Sequence, residues 1–553
     1  MHLVTLDYLL LGAFLLLMVF IGSAFGWLVK DAAGFLKGGN TIPWFIAGTS
    51  NFMSMFSTFV FVAYAGIAYQ HGFVAISVFW STVVACLVAA TFFARRWRRA
   101  DLTTPVEYLE RRFNFGVRQT FSWLGLFLRF LDNAVRLYAS GLFLATVTPL
   151  SMGEAVMISG ILITIFAMIG GLWAVVVMDT IQFIVLIFAT LILVPLSLAA
   201  AGGFDGIAEA APENLNWFNS ERGAPLFLLV YYLMVTLKYN SNWSFIQRLY
   251  AVRDEGASRK VALCSALLFF LSPLIFLLPA IAARVILPDL EDPEQAYVAV
   301  CVYLLPAGMM GLMLAAMFSA TVSALNSEFN VMAGVLTNDV YQRFLRPASS
   351  DRERLWVARG CTVLVGGCIT AGAFFVADFG GAFEANKLFT SLFALPLAIP
   401  LIFGLVSKRP TALGAVVSVF GGATLALVLH LGGWLSWEWS TLLVCGVTFA
   451  LLMLVSGGAR TAGRQAAAAD FFRQVDHPLP PERIPTIDPR FKVALGRLFA
   501  LSFAVSGGFF LVAGGLNAAL TSGQLALAAG CLCLILGGFC WRTGRPERSL
   551  RPD

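Results

Sequence analysis

Charge is scarce in this chain: 37 Lys and Arg with 31 Asp and Glu make up 12% of 553 residues, while 59% are hydrophobic. A soluble domain carries about 25% charged residues, so there is too little polar surface here to cover several globular cores, and a soluble enzyme is excluded. Histidine is nearly absent. His2, His71, His430 and His477 form neither an HExxH pattern nor a cluster, which excludes a zinc hydrolase of that kind. The nine cysteines lie mostly in apolar segments, among them Cys86, Cys264, Cys368, Cys445 and the Cys531-Leu-Cys533 group. They are expected to pack rather than to form disulfides or bind metal. No nucleophile, metal or histidine constellation is left to support a membrane-embedded enzyme.

What the chain has in abundance is long apolar runs. About fifteen stretches reach the length of about 20 residues that a helix needs to cross the hydrocarbon of a bilayer. They fall near 6–28, 43–71, 73–94, 117–147, 154–173, 175–200, 226–247, 261–286, 306–335, 355–377, 386–406, 411–433, 439–456, 495–515 and 522–541. Lipid leaves only helices or closed barrels with their backbone satisfied, and continuous runs without strict alternation select helices. The expected fold class is an all-α polytopic membrane protein.

Basic residues recur on every second loop: Lys30 and Lys37; Arg95, Arg96, Arg98, Arg99, Arg111 and Arg112; Arg253, Arg259 and Lys260; Arg343, Arg346, Arg352 and Arg354; Lys408 and Arg409. The alternate loops are acidic or neutral, with Asp205, Glu209, Glu213 and Glu221 in one and Asp289, Glu291, Asp292 and Glu294 in another. By the positive-inside rule the basic loops are cytoplasmic. An odd number of crossings then puts the N-terminus outside and the C-terminus, with Arg542, Arg545, Arg548 and Arg551, inside a plasma or inner membrane. The net charge of +6 is this loop bias and not a nucleic-acid footprint. Residues 6–28 have no basic leader before them and no small-residue cleavage site, so a retained helix is expected.

Residues 457–494 interrupt the pattern. They are polar, and Pro478, Pro480, Pro481, Pro485 and Pro489 forbid a long helix across them. The expected division is a core over 1–456, a cytoplasmic linker over 457–494 in which Ala466 to Val475 form a short amphipathic helix on the membrane surface, and a terminal helical pair with its basic tail over 495–553.

Polar residues at membrane depth persist mainly where they face a cavity, an ion or one another. The second segment holds Thr49-Ser50-Asn51 and Ser54, Ser57 and Thr58; the seventh holds Thr236-Leu237-Lys238-Tyr239-Asn240-Ser241-Asn242-Trp243-Ser244. Two interrupted helices at matching positions in two halves point to a carrier's binding site. The alternative is that the hydroxyls bond back to the preceding turn and neither helix breaks.

Several motifs resemble the solute:sodium symporter family. They are Phe35-Leu-Lys-Gly38-Gly39-Asn40, Gly66-Ile-Ala-Tyr69, Thr104-Pro105 through Phe113, Gly170-Gly171 through Asp179 and Gln182, Gln247-Arg248, Ser323-Ala-Leu-Asn326-Ser327 and Asp339-Val-Tyr341. The resemblance covers about residues 6–456. It implies an inverted five-helix repeat of the leucine-transporter type, segments two to six and seven to eleven forming the halves, with alternating access around a midplane site. It further implies a co-transported sodium ion held by the carbonyls of Met53 and Phe56 together with Ala316 and Ser319, and a second cation position at Asp179 with Ser323. A hard cation suits such oxygen ligands. Ala320 stands where the family has Ser or Thr, which removes one hydroxyl; Thr321 lies about 100° further around a regular helix.

Arg129, Asp132 and Arg136 share one face of the fourth segment, either as an internal ion-pair ladder or as the wall of a solute cavity. Lys238, Tyr239 and Asn240 in the seventh segment and Lys387 in the eleventh complete the expected solute set, although Lys387 also has the option of snorkelling to the interface. The membrane-depth cations Arg129, Arg136, Lys238 and Lys387 outnumber the acids Asp132 and Asp179, so the expected solute is small, polar and anionic: a sugar acid or other carboxylate. A neutral sugar or polyol, a proton-coupled carrier and a transporter-like sensor are the alternatives. Solute and lipid are the only partners expected; neither a nucleic acid nor an obligate protein partner is indicated.

Overall fold

A computed structural model describes residues 4–26, 38–169, 172–457, 462–485 and 489–543. Lys30, Lys37, the start of the Phe35–Asn40 motif, Gly170, Gly171, Arg545, Arg548 and Arg551 lie outside the described residues. No strand occurs among those described; Ile42 and Val252 form a single isolated bridge.

The principal helices, in chain order, are α1 Thr5–Gly26, α2 Trp44–Met55, α3 Val60–His71, α4 Val74–Arg99, α5 Phe115–Val147, α6 Met152–Ile169 and α7 Leu172–Ala200. They continue as α8 Pro225–Asn240, α9 Trp243–Tyr250, α10 Glu255–Ile286, α11 Met309–Leu345, α12 Asp351–Ala373 and α13 Gly381–Val406. The last five are α14 Ala412–Gly432, α15 Trp437–Val455, α16 Ala462–Asp476, α17 Pro489–Leu516 and α18 Thr521–Thr543.

Among the described residues each apolar run is built mainly of helix, the second and seventh with a break. Among the described residues, ten helices are long and apolar enough to cross a membrane, or eleven if α2 and α3 count as one bent span. Two of the remaining runs fall short for visible reasons: α5 carries Arg118, Arg129, Asp132 and Arg136, and the seventh run is cut into α8 and α9.

α11 is buried along its whole apolar length and forms the axis of the bundle, with α7, α2 and α5 packed around it. α1 joins this axis through Asp7, whose Oδ1 accepts the backbone N–H of Gly308 and of Gly311, each at 2.7 Å. Helix N-termini have free N–H groups, and here another helix supplies the cap. Gly311 is required for it, because a Cβ there would lie 2.4 Å from the Asp7 carbonyl oxygen.

The helical pair α17 and α18 leans on this assembly through Phe509 against Phe14 and Phe510 against Phe188. α16 spans the short helix expected over Ala466 to Val475. It buries Phe471, Phe472 and Val475 against the protein, with Phe471 5.8 Å from the Tyr108 ring, and Arg99 donates to its last carbonyls. Phe472 lies under the Arg112 guanidinium at 5.1 Å and the Lys408 ammonium at 5.6 Å.

Candidate functional site: a closed cavity between two broken helices

The second run breaks where its polar residues are densest. α2 ends at Met55, Phe56 is extended at φ −97° and ψ 125°, and α3 departs at 61°. The groups freed by the break are gathered by α11 and α5. Thr58 N–H donates to Thr321 Oγ1 at 2.9 Å, Thr58 Oγ1 donates to the Met317 carbonyl at 3.1 Å, and Arg136 donates to the Ser54 carbonyl at 3.1 Å. Thr321 therefore reaches the break itself, which helical spacing from Ser319 alone does not suggest.

The second break falls at Ser241–Asn242 in the seventh run. Asn242 caps α9 by accepting Phe245 N–H at 3.0 Å, so its side chain does the work that an unbroken helix would have given to backbone. Arg129 donates to the Ser241 carbonyl at 3.2 Å and lies over the Trp243 ring at 4.9 Å. Glu328 of α11 accepts Asn242 Nδ2 at 3.1 Å, Ser244 Oγ at 2.6 Å and Arg129 at 3.3 Å. Both breaks are thus tied to α11 and α5.

Between them lies a cavity of about 50 Å³ lined by residues that include Ser57, Tyr64, Arg136, Tyr231, Lys238, Tyr239, Asn242 and Asn386. That volume is far below the roughly 300 Å³ of a pocket that encloses a small organic ligand. Tyr64 and Tyr231 share a hydrogen bond of 2.8 Å across α3 and α8.

The ionised groups are matched in ways the sequence did not indicate. Lys238 donates to Asp132 at 2.7 Å, to Thr390 at 3.0 Å and to Asn386 at 3.2 Å. Arg129 pairs with Glu328 and not with Asp132, so the expected ladder along α5 is replaced by pairs between helices. Lys387 pairs with Glu384 at 2.5 Å and stacks over Trp437 at 5.5 Å; it does not line the cavity. Asn240 is also outside it, donating to the carbonyls of Ala85 and Thr236. The surplus of positive charge counted from the sequence shrinks accordingly. Arg136 is the cavity-lining cation that, among the described residues, has no carboxylate within salt-bridge distance.

A second polar cluster lies away from the cavity. Asp179 of α7 accepts Ser50 Oγ at 2.5 Å and Ser323 Oγ at 2.6 Å, with Arg248 at 3.8 Å. Arg248 in turn reaches Ser327 at 2.6 Å, and Ser327 meets Ser54 at 2.9 Å. The expected partners Asp179 and Ser323 are therefore in contact, and so is the basic residue that a purely structural role requires. Met53, Phe56, Ala316 and Ser319 are all buried where α2 packs on α11, and Ser319 Oγ donates to the Ala315 carbonyl at 2.6 Å, which leaves its lone pairs free for a cation. This donor set is all oxygen, in keeping with a hard monovalent or divalent ion. No group of three His, Cys, Asp or Glu able to hold a metal occurs among the described residues.

Glu328 and the role of Arg248 are what sequence reasoning missed. The signal for Glu328 was present: a lone acid in the middle of an apolar run requires a partner.

Two broken helices facing a small polar cavity inside a membrane-spanning bundle define a carrier that works by alternating exposure of a midplane site. The sodium:solute symporter family model matches residues 35–422, and the chain belongs to that family. It is a sodium-coupled solute transporter and not an enzyme. It is 25% identical over 469 residues to a sodium/glucose cotransporter of Vibrio parahaemolyticus, covering 77% of this chain and 85% of the relative. It is 24% identical over 448 residues to the sodium/sialic acid symporter NanT of Aliivibrio fischeri, covering 77% and 87%. The fold matches a substrate-bound, outward-open Na+-coupled sialic acid symporter with a TM-score of 0.73 at 20% identity, over 82% of this chain and 98% of the other.

Proposed function

We propose that the solute is a small organic acid, a sugar acid or other carboxylate, taken up with sodium. The observation that carries this is Arg136: a guanidinium on the cavity wall that donates to the Ser54 carbonyl and, among the described residues, has no carboxylate within salt-bridge distance, while the neighbouring Lys238 is already neutralised by Asp132. A planar guanidinium engages a carboxylate through two parallel hydrogen bonds, which a neutral polyol cannot match. A relative that carries sialic acid, a sugar acid, supports the choice. Tyr239, Lys238 and Asp132 would supply hydroxyl contacts beside it. Asn240 and Lys387 drop out of this set.

One sodium is assigned to the carbonyls of Met53 and Phe56 with Ala316 and Ser319, and a second cation position to Asp179 with Ser323. The remaining architecture is proposed with it: fifteen crossings, an inverted repeat relating α2–α7 to α8–α13, an outside N-terminus and inside C-terminus, and a core over 1–456 joined by the cytoplasmic linker 457–494 to the terminal pair 495–553. The alternation of basic and acidic loops supports the orientation.

The test is sodium-driven uptake into proteoliposomes from a panel of sugar acids, monocarboxylates and neutral polyols. Arg136→Gln should lose carboxylate uptake by at least tenfold and leave protein yield intact. A wild-type preference for a neutral polyol, unaffected by Arg136→Gln, overturns the acid reading.

A further inference from the structure

At the end of the bundle where the basic loops gather, the bonds between helix ends sort them into two bodies. In the first, the end of α4 is fixed to the start of α10 and the loop before it. Arg98 donates to the carbonyls of Val252 and Arg253 at 2.7 and 2.9 Å, Arg99 pairs with Glu255 at 2.9 Å, and Ser258 Oγ donates to the Ala94 carbonyl at 2.8 Å. In the second, the short helix Glu107–Arg112 is fixed to the end of α13. Tyr108 O–H donates to the Leu401 carbonyl, and Arg112 donates to the carbonyls of Gly404, Ser407, Lys408 and Pro410 at 3.2, 3.1, 3.2 and 3.0 Å. Across the seam between the bodies, Arg96 donates to the Leu405 carbonyl at 3.2 Å, Arg111 donates to the Ala100 carbonyl at 3.1 Å, and Trp97 meets Tyr108 edge-on at 5.2 Å.

α16 lies over this seam and holds its two sides by different chemistry. Toward the first body its contacts are polar. Arg99 donates to the carbonyls of Val475 and Asp476, each at 3.1 Å, Gln474 donates to those of Arg99 and Ala100 at 3.0 and 3.2 Å, Asp476 pairs with Arg96 at 3.1 Å, and Leu479 N–H donates to Glu255 at 2.7 Å. The last carbonyls of a helix lack partners within it, so Arg99 both caps α16 and meets the negative end of its dipole. Toward the second body the contacts are aromatic. Phe471 and Phe472, 3% and 2% exposed, pack against Tyr108 and beneath Arg112 and Lys408. Phe471, Phe472 and Val475 share one helical face, and Pro478 and Pro480 follow it closely.

A carrier with alternating exposure must part its helix ends on one side in each cycle. Joining α15 to α17 requires only a tether, and a tether gains nothing from burying two phenylalanine rings. A segment that bonds to both sides of a seam resists the parting of those sides.

We propose that α16 is a clamp: docked, it holds this end of the carrier closed, and one of its two sets of contacts releases each time the end opens. It lies apart from the central cavity and from the proposed sodium ligands, so it acts on the rate of opening and not on the site itself.

The experiment uses the full chain in lipid nanodiscs. Nitroxides on non-native amino acids replace Arg253 and Arg409, exposed positions on the first and second bodies, and their separation is read by pulsed EPR. Amide hydrogen exchange over residues 470–479 reports whether α16 is docked. Phe471→Ser with Phe472→Ser removes the aromatic contacts, and Gln474→Ala removes two of the polar ones. In both variants exchange over 470–479 should quicken several-fold, and the population with a long nitroxide separation should grow several-fold. Gln474 is half-buried and gives up only two hydrogen bonds, so its variant remains readable should the loss of two phenylalanines prevent folding. Faster exchange with the wild-type distance distribution would show that α16 rests on a seam it does not hold shut. Wild-type exchange in both variants would show that these contacts do not hold α16. Either result overturns the clamp.

Discussion

Glu328 holds Asn242 at 3.1 Å, so a residue that lines the cavity and caps the second half of a broken helix is fixed by a carboxylate on the buried axis of the bundle. The same carboxylate pairs with Arg129, which grips the Ser241 carbonyl on the other side of the break. The break is an assembled structure, defined by three helices and not by its own sequence alone.

Removing one member of that buried pair should be costly. Glu328→Ala leaves Arg129 desolvated without a counter-charge, and breaking a buried pair costs about 3–5 kcal/mol. Thermal unfolding in detergent should show this loss. The double variant Arg129→Met with Glu328→Leu should be markedly more stable than the Glu328 variant alone. If the two single effects simply add, the pair is not the brace described.

Ala320→Ser restores a hydroxyl beside Ser319. A net hydrogen-bond-scale gain of ~1 kcal/mol corresponds to about a fivefold change in affinity, so half-saturating sodium for uptake should fall about fivefold. Asp179→Asn should impair coupling more severely, because a charge is lost and not a neutral group. Both are read from initial uptake against sodium at fixed pH and voltage. Uptake that ignores sodium and follows a proton gradient would make Asp179 a proton carrier instead.

Thr321→Val removes the acceptor of the Thr58 N–H at the first break without touching a proposed sodium ligand. The unpaired amide should cost about 1–3 kcal/mol, and sodium half-saturation should rise because the Phe56 carbonyl loses its anchor. Sodium dependence identical to wild type would show that the break holds its shape without α11.

Glu294, in the 3-10 turn Pro293–Gln295, accepts the N–H groups of Ala382 and Phe383 at the start of α13 at 3.5 and 3.4 Å. Burial raises its carboxyl above the ordinary range, outweighing those hydrogen bonds, with Asp292 and Glu384 adding to the rise. A raised acid favours the protonated form in the folded state. Its contribution is therefore full below the ordinary glutamate range and is lost as pH rises through the raised value. Glu294→Gln should match wild-type thermal stability at low pH and exceed it at neutral pH. Equal pH profiles for the two proteins would remove this assignment.

Composition settled the solvent and the class of structure. With 12% charge and apolar runs throughout, helices were expected across the membrane, and the described parts of these runs are mainly helical. Both breaks were visible as clusters of polar residues at membrane depth, although back-bonding to the preceding turn, which Ser54 and Asn240 do make, was an equally legible reading. Partners were not visible. Lys238 and Asp132 lie 106 residues apart in sequence, and Arg129 and Glu328 lie 199 apart. Counting charges gave Arg129, Lys238 and Lys387 as unbalanced; folding gave each a carboxylate from another helix, or in the case of Lys387 from the preceding turn of its own. The physical reason is that the cost of a charge in a low-dielectric interior shows in the sequence as a residue needing a partner, while which partner it receives depends on helix packing, and packing is a property of the whole bundle.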